Sequence, residues 1–369
     1  MKSLYKLIIP QMISPNKYYT IIFVFVFAFI GVSIYTQDTN LENTIGTITD
    51  KGVPVLAYHQ IVSDKWAAQR NNPYVLGVGN FKKQIQWLKE EGYTTITLKT
   101  LNEFIAGEKA VYPEKPVVIT FDDGTKGFTR YANDILKNAG FKAALFIFPN
   151  AMGKDKNYLN WAELEKIKKE GHEIEAHGYT HPLLTRMSLK QQLEEFKKAK
   201  SAIKNKLGVD AKWMAYPFGV YNEHTVKALE DTGYTGAFTV YEGDNRQGQN
   251  SFFLNRYLVL HGQTMQTFSK KIRQKSLLAK VVSLPPGSRI HKGSEIKIKI
   301  PSGLIKENLR VEMGRSFIRK NKKRIFSYDI KTGIISFKAG EKNGKYLTVT
   351  TLVTGENQET RRASFLYLW

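Results

Sequence analysis

Two adjacent carboxylates follow an apolar run in the first third of the chain. Asp122 and Asp123 come directly after VVITF and are followed by Gly124. Because neighbouring carboxylates repel each other, we expect the strand to end before them and a turn at Gly124 to point them in different directions. One carboxylate can then bind a metal ion while the other stays free as a base. The alternative is an ordinary acidic turn without chemistry.

Two histidines four positions apart form a second reactive segment, HGYTH, with His177 and His181 at its ends. Two imidazoles at this spacing suit a divalent metal ion such as zinc. The helical zinc motif of metalloproteases needs a glutamate after the first histidine, where this chain has Gly178. Gly178 and Pro182 predict a loop instead. A lone histidine would more often be a buried structural residue, but this pair favours a metal site.

A third segment, AYPFG, spans residues 215–219 and has no titratable group except the Tyr216 hydroxyl. Its contribution would lie in its shape and its backbone N–H donors. Paired carboxylates also serve glycoside hydrolases. Adjacent Asp122 and Asp123 cannot lie on opposite sides of a glycosidic bond, however, and a glycosidase would leave the histidine pair unexplained.

The three segments each follow a short apolar run, and such runs alternate with amphipathic stretches. This alternation predicts an α/β unit with a parallel sheet, open or closed into a barrel, and places the segments at the carboxyl ends of strands. The predicted strands are 53–58, 116–121, 143–148, 173–177 and 213–216. The predicted helices are 81–91, 131–139, 161–170 and 189–207.

The pattern changes to period-two alternation after about residue 273, as in EIKIKI at 295–300 and YLTVTTL at 346–352. We therefore predict a small all-β sandwich domain over residues 276–369. It holds 19 lysines and arginines against 7 aspartates and glutamates, which accounts for 12 of the 22 net positive charges. The densest cluster is 319–324. Such a domain can bind anionic cell-wall polymer or lipid headgroups, or its charge can simply keep it soluble.

Composition restricts the chemistry and the surroundings of the protein. The absence of cysteine excludes disulfides, thiolate metal ligands, cysteine nucleophiles and a lipoprotein anchor. With 42% hydrophobic and 24% charged residues, the composition is that of an ordinary globular protein. The net charge of +22 predicts polyanionic surroundings: nucleic acid, anionic lipid or an acidic wall polymer.

Residues 18–35 read YYTIIFVFVFAFIGVSIY and carry no charge. A run of this length is long enough to cross a bilayer. Lysines precede this run and acidic residues follow it, so residues 1–17 should be a cytoplasmic tail and the rest extracellular. We predict a retained single-pass transmembrane anchor at 18–36 and a linker at 37–51, which places the protein in the cell membrane. A cleaved signal peptide, giving a secreted protein, is the alternative. An extracellular location argues for no nucleic acid partner.

The pairing of TFDDG, which contains Asp122 and Asp123, with the H-x-x-x-H of His177 and His181 resembles the NodB-homology polysaccharide deacetylases, carbohydrate esterase family four. The resemblance covers residues 53 to about 270. The opening VPVLAYH, which ends at His59, resembles the intercellular-adhesin deacetylases that act on poly-β-1,6-N-acetylglucosamine. The resemblance implies a distorted (β/α) barrel over residues 52–273, circularly permuted so that the strand before His59 comes first.

The family's functional residues can be carried over onto matching positions. The resemblance implies that one divalent metal ion, zinc or else cobalt, nickel or manganese, is bound by Asp123, His177 and His181. Asp122 would be the general base and His59 the general acid. The backbone N–H of Phe218 would help to stabilise the oxyanion.

The chain also departs from the family's pattern. The arginine that usually precedes the motif proline by two positions is Ala215 here, and Arg256 can replace it as the partner of Asp122. His261 competes with His59 as the acid. The family's acidic-tryptophan motif is missing as well. Two further candidates for residues that support the site are Tyr216 and Trp161.

We therefore expect a metal-dependent N-deacetylase that removes acetyl groups from N-acetylglucosamine units of an extracellular polysaccharide, first of all poly-β-1,6-N-acetylglucosamine. Peptidoglycan is the second expected substrate, ahead of chitin fragments and acetylated xylan. The non-enzymatic alternatives are an inactive wall-binding protein on the same fold and a structural adhesin that acts through its β domain. Inactive relatives tend to lose a ligand or the base, and this chain keeps all four.

Overall fold

The computed structural model describes residues 52–108, 111–304, 306–314, 322–342, 345–354 and 360–368, within one compact unit. The predicted tail, membrane span and linker, residues 1–51, lie outside these ranges. Residues 319–321 of the basic cluster lie outside them too. Across the described ranges, no helix combines the length and the apolar character that a membrane crossing requires.

Eight parallel strands form the central sheet of the amino-terminal part. In chain order the strands up to residue 273 are β1 (Val55–Tyr58), β2 (Gln60–Val62), β3 (Val75–Gly77), β4 (Tyr93–Thr95), β5 (Lys115–Asp123), β6 (Ala144–Ile147), β7 (Glu173–Ala176), β8 (Trp213–Ala215), β9 (Gly236–Phe238) and β10 (Tyr257–Leu258). The order in the sheet is β10-β1-β5-β6-β7-β8-β9, with β4 also beside β5, while β2 and β3 pair separately.

Both faces of this sheet are buried. Val55, Val118 and Phe146 point into an inner hydrophobic cluster. Their neighbours Leu56 and Ile119 belong to an outer cluster beneath the helices. Because successive side chains of a strand point to opposite faces, strands covered on both sides appear in the sequence as continuous apolar runs.

Helices surround the sheet, and the chain before β10 joins its two edges. The helices are α1 (Asp64–Ala68), α2 (Val78–Glu90), α3 (Leu98–Ala106), α4 (Asn133–Ala139), α5 (Trp161–Lys169), α6 (Leu189–Leu207), α7 (Thr225–Asp231) and α8 (Met265–Ile272). Leu254 donates its N–H to Ala237 of β9 and accepts from Thr239, and β10 then pairs with β1. The sheet thus curves into an irregular barrel, in agreement with the predicted α/β fold.

The first carboxylate segment departs from expectation. Strand β5 continues through both carboxylates, and Asp122 and Asp123 pair with Phe146 and Ile147 of β6. The prediction that the strand ends before them was wrong. Alternation sends Asp122 to the inner face, and a φ of 72° turns the chain at Asp123, so the two side chains separate without a preceding turn.

Two four-stranded antiparallel sheets make up the carboxyl-terminal part. Their strands are β11 (Lys280–Val281), β12 (Glu295–Lys299), β13 (Leu309–Gly314), β14 (Lys322–Arg324), β15 (Ser327–Asp329), β16 (Ile334–Lys338), β17 (Tyr346–Thr354) and β18 (Thr360–Leu368). Ile296 of one sheet and Val311 of the other share one hydrophobic core, as in a sandwich. Leu366 and Leu368 at the end of β18 belong instead to the core of the barrel. The division into two domains near residue 275 stays a prediction.

Candidate active site

Three potential metal ligands meet where β5 and β7 end. His177 Nε2 and His181 Nε2 lie 3.2 Å apart. Asp123 Oδ1 lies 3.7 Å from the first of these nitrogens and 3.6 Å from the second. These are the three residues that the sequence pattern selected as ligands, and they form a group that could hold a metal ion.

The spacing of these atoms fits a tetrahedral ion. Ligand atoms about 2.1 Å from such an ion lie about 3.4 Å from each other. The three distances between the ligand atoms, 3.2, 3.6 and 3.7 Å, are close to that value. His177 Nδ1 also lies 2.6 Å from the carbonyl oxygen of Ala215, which holds the proton on Nδ1 and leaves the lone pair of Nε2 for a metal. The donor set therefore suits zinc, although an Asp–His–His set does not select one metal among several.

The backbone is strained at this site. Asp123, His181 and Phe218 have φ values of 72°, 59° and 59°, and no other non-glycine residue of the described chain has a positive φ. A positive φ is unfavourable for residues with a Cβ and persists only where the surroundings enforce it. All three residues belong to the predicted site, so the fold positions them at an energetic cost.

Burial sets the protonation of the ligands. It lowers the pKa of His177 to about 4 and that of His181 to about 3, so both imidazoles are neutral at pH 7, the form that binds metal. Burial and the charge of Asp122 raise the pKa of Asp123 to about 7. A divalent cation would oppose that shift because it stabilises the charged carboxylate.

Asp122 points into the barrel and is paired with Arg256. The guanidinium donates from Nη1 to Oδ1 at 2.7 Å and from Nη2 to Oδ2 at 2.8 Å. Burial alone would raise the pKa of Asp122, but Arg256, followed by His177 and His59, outweighs it and holds the pKa well below its usual range. Asp122 is therefore ionised throughout the physiological pH range. The structure contains the contact that was expected to replace the missing motif arginine.

His59 lies beside Asp122, whereas His261 does not. His59 Nε2 is 3.8 Å from Asp122 Oδ2. Its Nδ1 is buried and makes no hydrogen bond to the described residues. His261 is exposed and its Nδ1 contacts the carbonyl oxygen of Val75. Of the two candidate acids, the fold brings only His59 to the base.

The Pro217–Gly219 turn places Phe218 next to the metal ligands. The Phe218 ring is 4.4 Å from the His181 ring, centroid to centroid, and its side chain is 54% exposed. Gly219 and Val220 donate their N–H groups within the turn, but that of Phe218 has no partner among the described residues. A free amide in a strained turn beside a metal ligand is available to an oxyanion.

Tyr216 and Trp161, two of the proposed supporting residues, both pack on the hydrophobic core. The Tyr216 hydroxyl donates to the carbonyl oxygen of Phe252 at 2.8 Å, which turns the ring into the core. Trp161 begins α5 and packs on the same core, with its indole beside Gly153. The supporting role of both residues stays a prediction.

Residues that sequence reasoning missed complete the site. Tyr74 lies against His59, with ring centroids 4.8 Å apart. Its pKa is raised by burial and by the charge of Asp123. Glu195 of α6 is buried, and its Oε1 accepts from the N–H groups of Tyr179 and Thr180 at 2.7 and 2.6 Å. The only sequence signal for Glu195 is an acid on the apolar face of an amphipathic helix.

Comparison with known proteins gives consistent matches. Residues 109–237 match the family model described as polysaccharide deacetylase. A Bacillus subtilis (strain 168) protein named as a polysaccharide deacetylase, YxkH, is 30% identical over 242 residues, which is 66% of this chain and 84% of that protein. The poly-β-1,6-N-acetyl-D-glucosamine N-deacetylase of Staphylococcus epidermidis is 28% identical over 193 residues, 48% of this chain and 66% of that protein.

A solved structure shows the same similarity. The Streptococcus pyogenes deacetylase PplD, in complex with acetate, superposes with a TM-score of 0.56 at 25% identity and covers 62% of this chain and 100% of that one. The family-model match includes the metal-ligand set and Phe218 but ends before Arg256 and begins after His59. Those two residues are thus supported by the geometry of this chain rather than by that match.

Proposed function

Since the chain belongs to the polysaccharide deacetylase family, hydrolases of carbon–nitrogen bonds, we propose that it removes acetyl groups from N-acetylglucosamine units of poly-β-1,6-N-acetylglucosamine in a metal-dependent reaction. The observation that carries the proposal is the joint arrangement of Asp123, His177 and His181 beside an ionised Asp122. The choice of polymer is supported by the resemblance of the VPVLAYH opening and by the name of the S. epidermidis relative.

The side chains support the following division of labour. A bound divalent metal ion would supply Lewis-acid activation of the acetyl carbonyl and of water. Asp122, kept ionised by Arg256, accepts the proton of the attacking water. The free N–H of Phe218 donates to the carbonyl oxygen as negative charge develops there.

His59 would return a proton to the leaving nitrogen. Burial lowers its pKa to about 4, so the imidazole is neutral at pH 7 and has to gain its proton during the reaction. Asp122 Oδ2, which lies 3.8 Å from His59 Nε2, can pass on the proton that it accepts from water. The released glucosamine unit is cationic, so the product binds anionic surfaces better than the substrate does.

The sequence supports a location at the outer face of the cell membrane. The uncharged run at 18–35, with lysines before it, would anchor the protein and leave its catalytic part outside. The positive charge concentrated after residue 276 would hold it near anionic wall polymer or lipid headgroups.

Acetate release by the full-length protein in detergent tests the proposal. Poly-β-1,6-N-acetylglucosamine oligomers and peptidoglycan would be compared after chelation, with and without added zinc. We expect zinc-dependent release from the oligomers. Acetate release from peptidoglycan alone would make peptidoglycan the substrate in place of poly-β-1,6-N-acetylglucosamine. Metal binding without acetate release from either polymer would favour a wall-binding protein.

A further inference from the structure

A cavity of about 200 Å³ lies between the barrel and the sandwich. Arg186 and Met187 line it from the loop between β7 and α6, and Asn222 and His224 line it from the loop between β8 and α7. The sandwich part contributes Arg289 and Leu368, the latter a member of the barrel core. The cavity therefore has walls from both parts of the protein.

The two barrel loops are the loops that carry the catalytic groups. His181 lies in the first loop and Phe218 in the second, at the carboxyl ends of their strands. Arg186 is five positions after His181, so their Cα atoms are at most about 18 Å apart. The cavity is therefore lined by the two loops that also carry the metal ligand His181 and the proposed oxyanion donor Phe218.

The floor of the cavity is rigid. The Asn222 side-chain amide donates to the carbonyl oxygens of Leu184 and Met187, both at 3.0 Å. Its oxygen accepts from Gln192 Nε2 at 2.8 Å. Gly287 approaches so closely that a Cβ there would lie 2.7 Å from the Asn222 carbonyl carbon, so the sandwich packs tightly against this floor.

The polar groups at the rim are not used within the protein. Arg186 and Arg289 are exposed and have no carboxylate partner among the described residues. Glu223 also lines the cavity and is likewise unpaired there. Donors and an acceptor thus face the same space, which suits hydroxyl groups, since each hydroxyl both donates and accepts. A purely anionic ligand would meet the Glu223 carboxylate.

From these observations we propose that the cavity binds a sugar unit of the substrate chain two or more units away from the one that is deacetylated, through Arg186 and Arg289. Its volume is below the roughly 300–1,000 Å³ of sites for drug-sized ligands, as expected for a single pyranose. The sandwich is then part of the substrate-binding surface and not only a docking domain. This inference rests on the proposed deacetylase function.

Oligomer length separates this subsite from the catalytic site. Full-length Arg186→Ala and Arg289→Ala proteins would be assayed on poly-β-1,6-N-acetylglucosamine oligomers of two and six units. Arg310→Ala, which removes an exposed arginine of the sandwich outside the cavity, is the matched control. We expect KM for the hexamer to rise about tenfold in the two cavity variants, as for the loss of a hydrogen bond from a charged group. The KM for the dimer should not change in either variant.

Two results would overturn the subsite: cavity variants that behave as Arg310→Ala at both lengths, or an equal loss on dimer and hexamer. Calorimetric binding of both oligomers to the same proteins gives a readout that needs no turnover. If the wild-type protein binds the hexamer tightly but releases no acetate, and Arg289→Ala loses that affinity, the proposed reaction is wrong and the subsite stands. Equal affinity of the wild type for dimer and hexamer would contradict the subsite but not the proposed reaction.

Discussion

Arg256 and Asp122 form a bidentate ion pair inside the barrel although 134 positions separate them in the sequence. Arg256 is fully buried, and its Nε donates to the carbonyl oxygen of Thr239. Its guanidinium carbon also lies 5.8 Å from the ring centroid of Phe146 and 5.7 Å from that of Phe238. This fixed cation keeps Asp122 ionised and oriented next to the metal ligands.

Replacing Arg256 by lysine should therefore impair turnover. Arg256→Lys keeps the charge but cannot donate to both oxygens in parallel, so Asp122 loses its orientation. We expect kcat/KM to fall by a factor on the order of 10–100, as for other residues that orient groups at a metal site. Arg246→Lys, in the buried pair with Asp244, is the matched control for loss of a buried bidentate contact. Equal effects of the two substitutions would argue against a role for Arg256 in the reaction.

The neighbouring carboxylates should separate metal binding from turnover. Asp122→Asn should keep the metal ion but lower kcat by a factor on the order of 10²–10⁴, because the proton acceptor is gone. Asp123→Ala should lose metal and activity together, because only two of the three ligands remain. Metal content after dialysis and acetate release would be measured on the same preparations. If both variants stayed active, the site assignment would be wrong.

Glu195 should control metal affinity through the loop between the two histidines. Glu195→Ala leaves the N–H groups of Tyr179 and Thr180 without an acceptor, so the strained φ of His181 is no longer supported. We expect metal affinity, measured by competition with a chelator, to weaken by about tenfold. Glu194→Ala, at an exposed position of the same helix, should change nothing. A lower Tm with unchanged affinity would reduce Glu195 to a purely structural role.

Glu175 should make the protein less stable as the pH rises. Burial raises its pKa from 4.5 to about 8, even though the N–H groups of Lys212 and Trp213 favour the charged form. Between these values the folded protein holds a proton that the unfolded chain has released, so the free energy of unfolding falls with rising pH. The loss is absent below about pH 4.5 and complete above about pH 8.

Glu175→Gln tests this pH dependence, because a neutral amide can still accept both N–H bonds. The stability lost by the wild type between pH 5 and pH 8, on the order of a few kcal/mol from this group, should be smaller in the variant. Denaturant unfolding at several pH values measures it, with the exposed Glu114→Gln as control. If the free energy of unfolding depends on pH in the same way in the wild type and in Glu175→Gln, the raised pKa of Glu175 is contradicted.

Local sequence predicted five of the ten strands before residue 273, namely β1, β5, β6, β7 and β8, and the identity of the reactive segments. Strands buried on both faces must be continuous apolar runs, and the carboxyl ends of neighbouring parallel strands meet at one edge. These two facts place Asp123, at the end of β5, and His177 and His181, after β7, at the same edge of the sheet, although β6 lies between the two strands. The period-two pattern after residue 273 likewise predicted the antiparallel sheets.

Only the tertiary structure decided which distant side chains support that site. The pairing of β1 with β5 brings His59 to Asp122 and leaves His261 outside, a choice that the sequence left open. Arg256 was proposed as the partner of Asp122 only through the family resemblance, and it reaches Asp122 because β10, which follows it, lies on the other side of β1. Contacts between residues far apart in the chain depend on strand order and on side-chain direction. Neither of these is encoded in a local pattern.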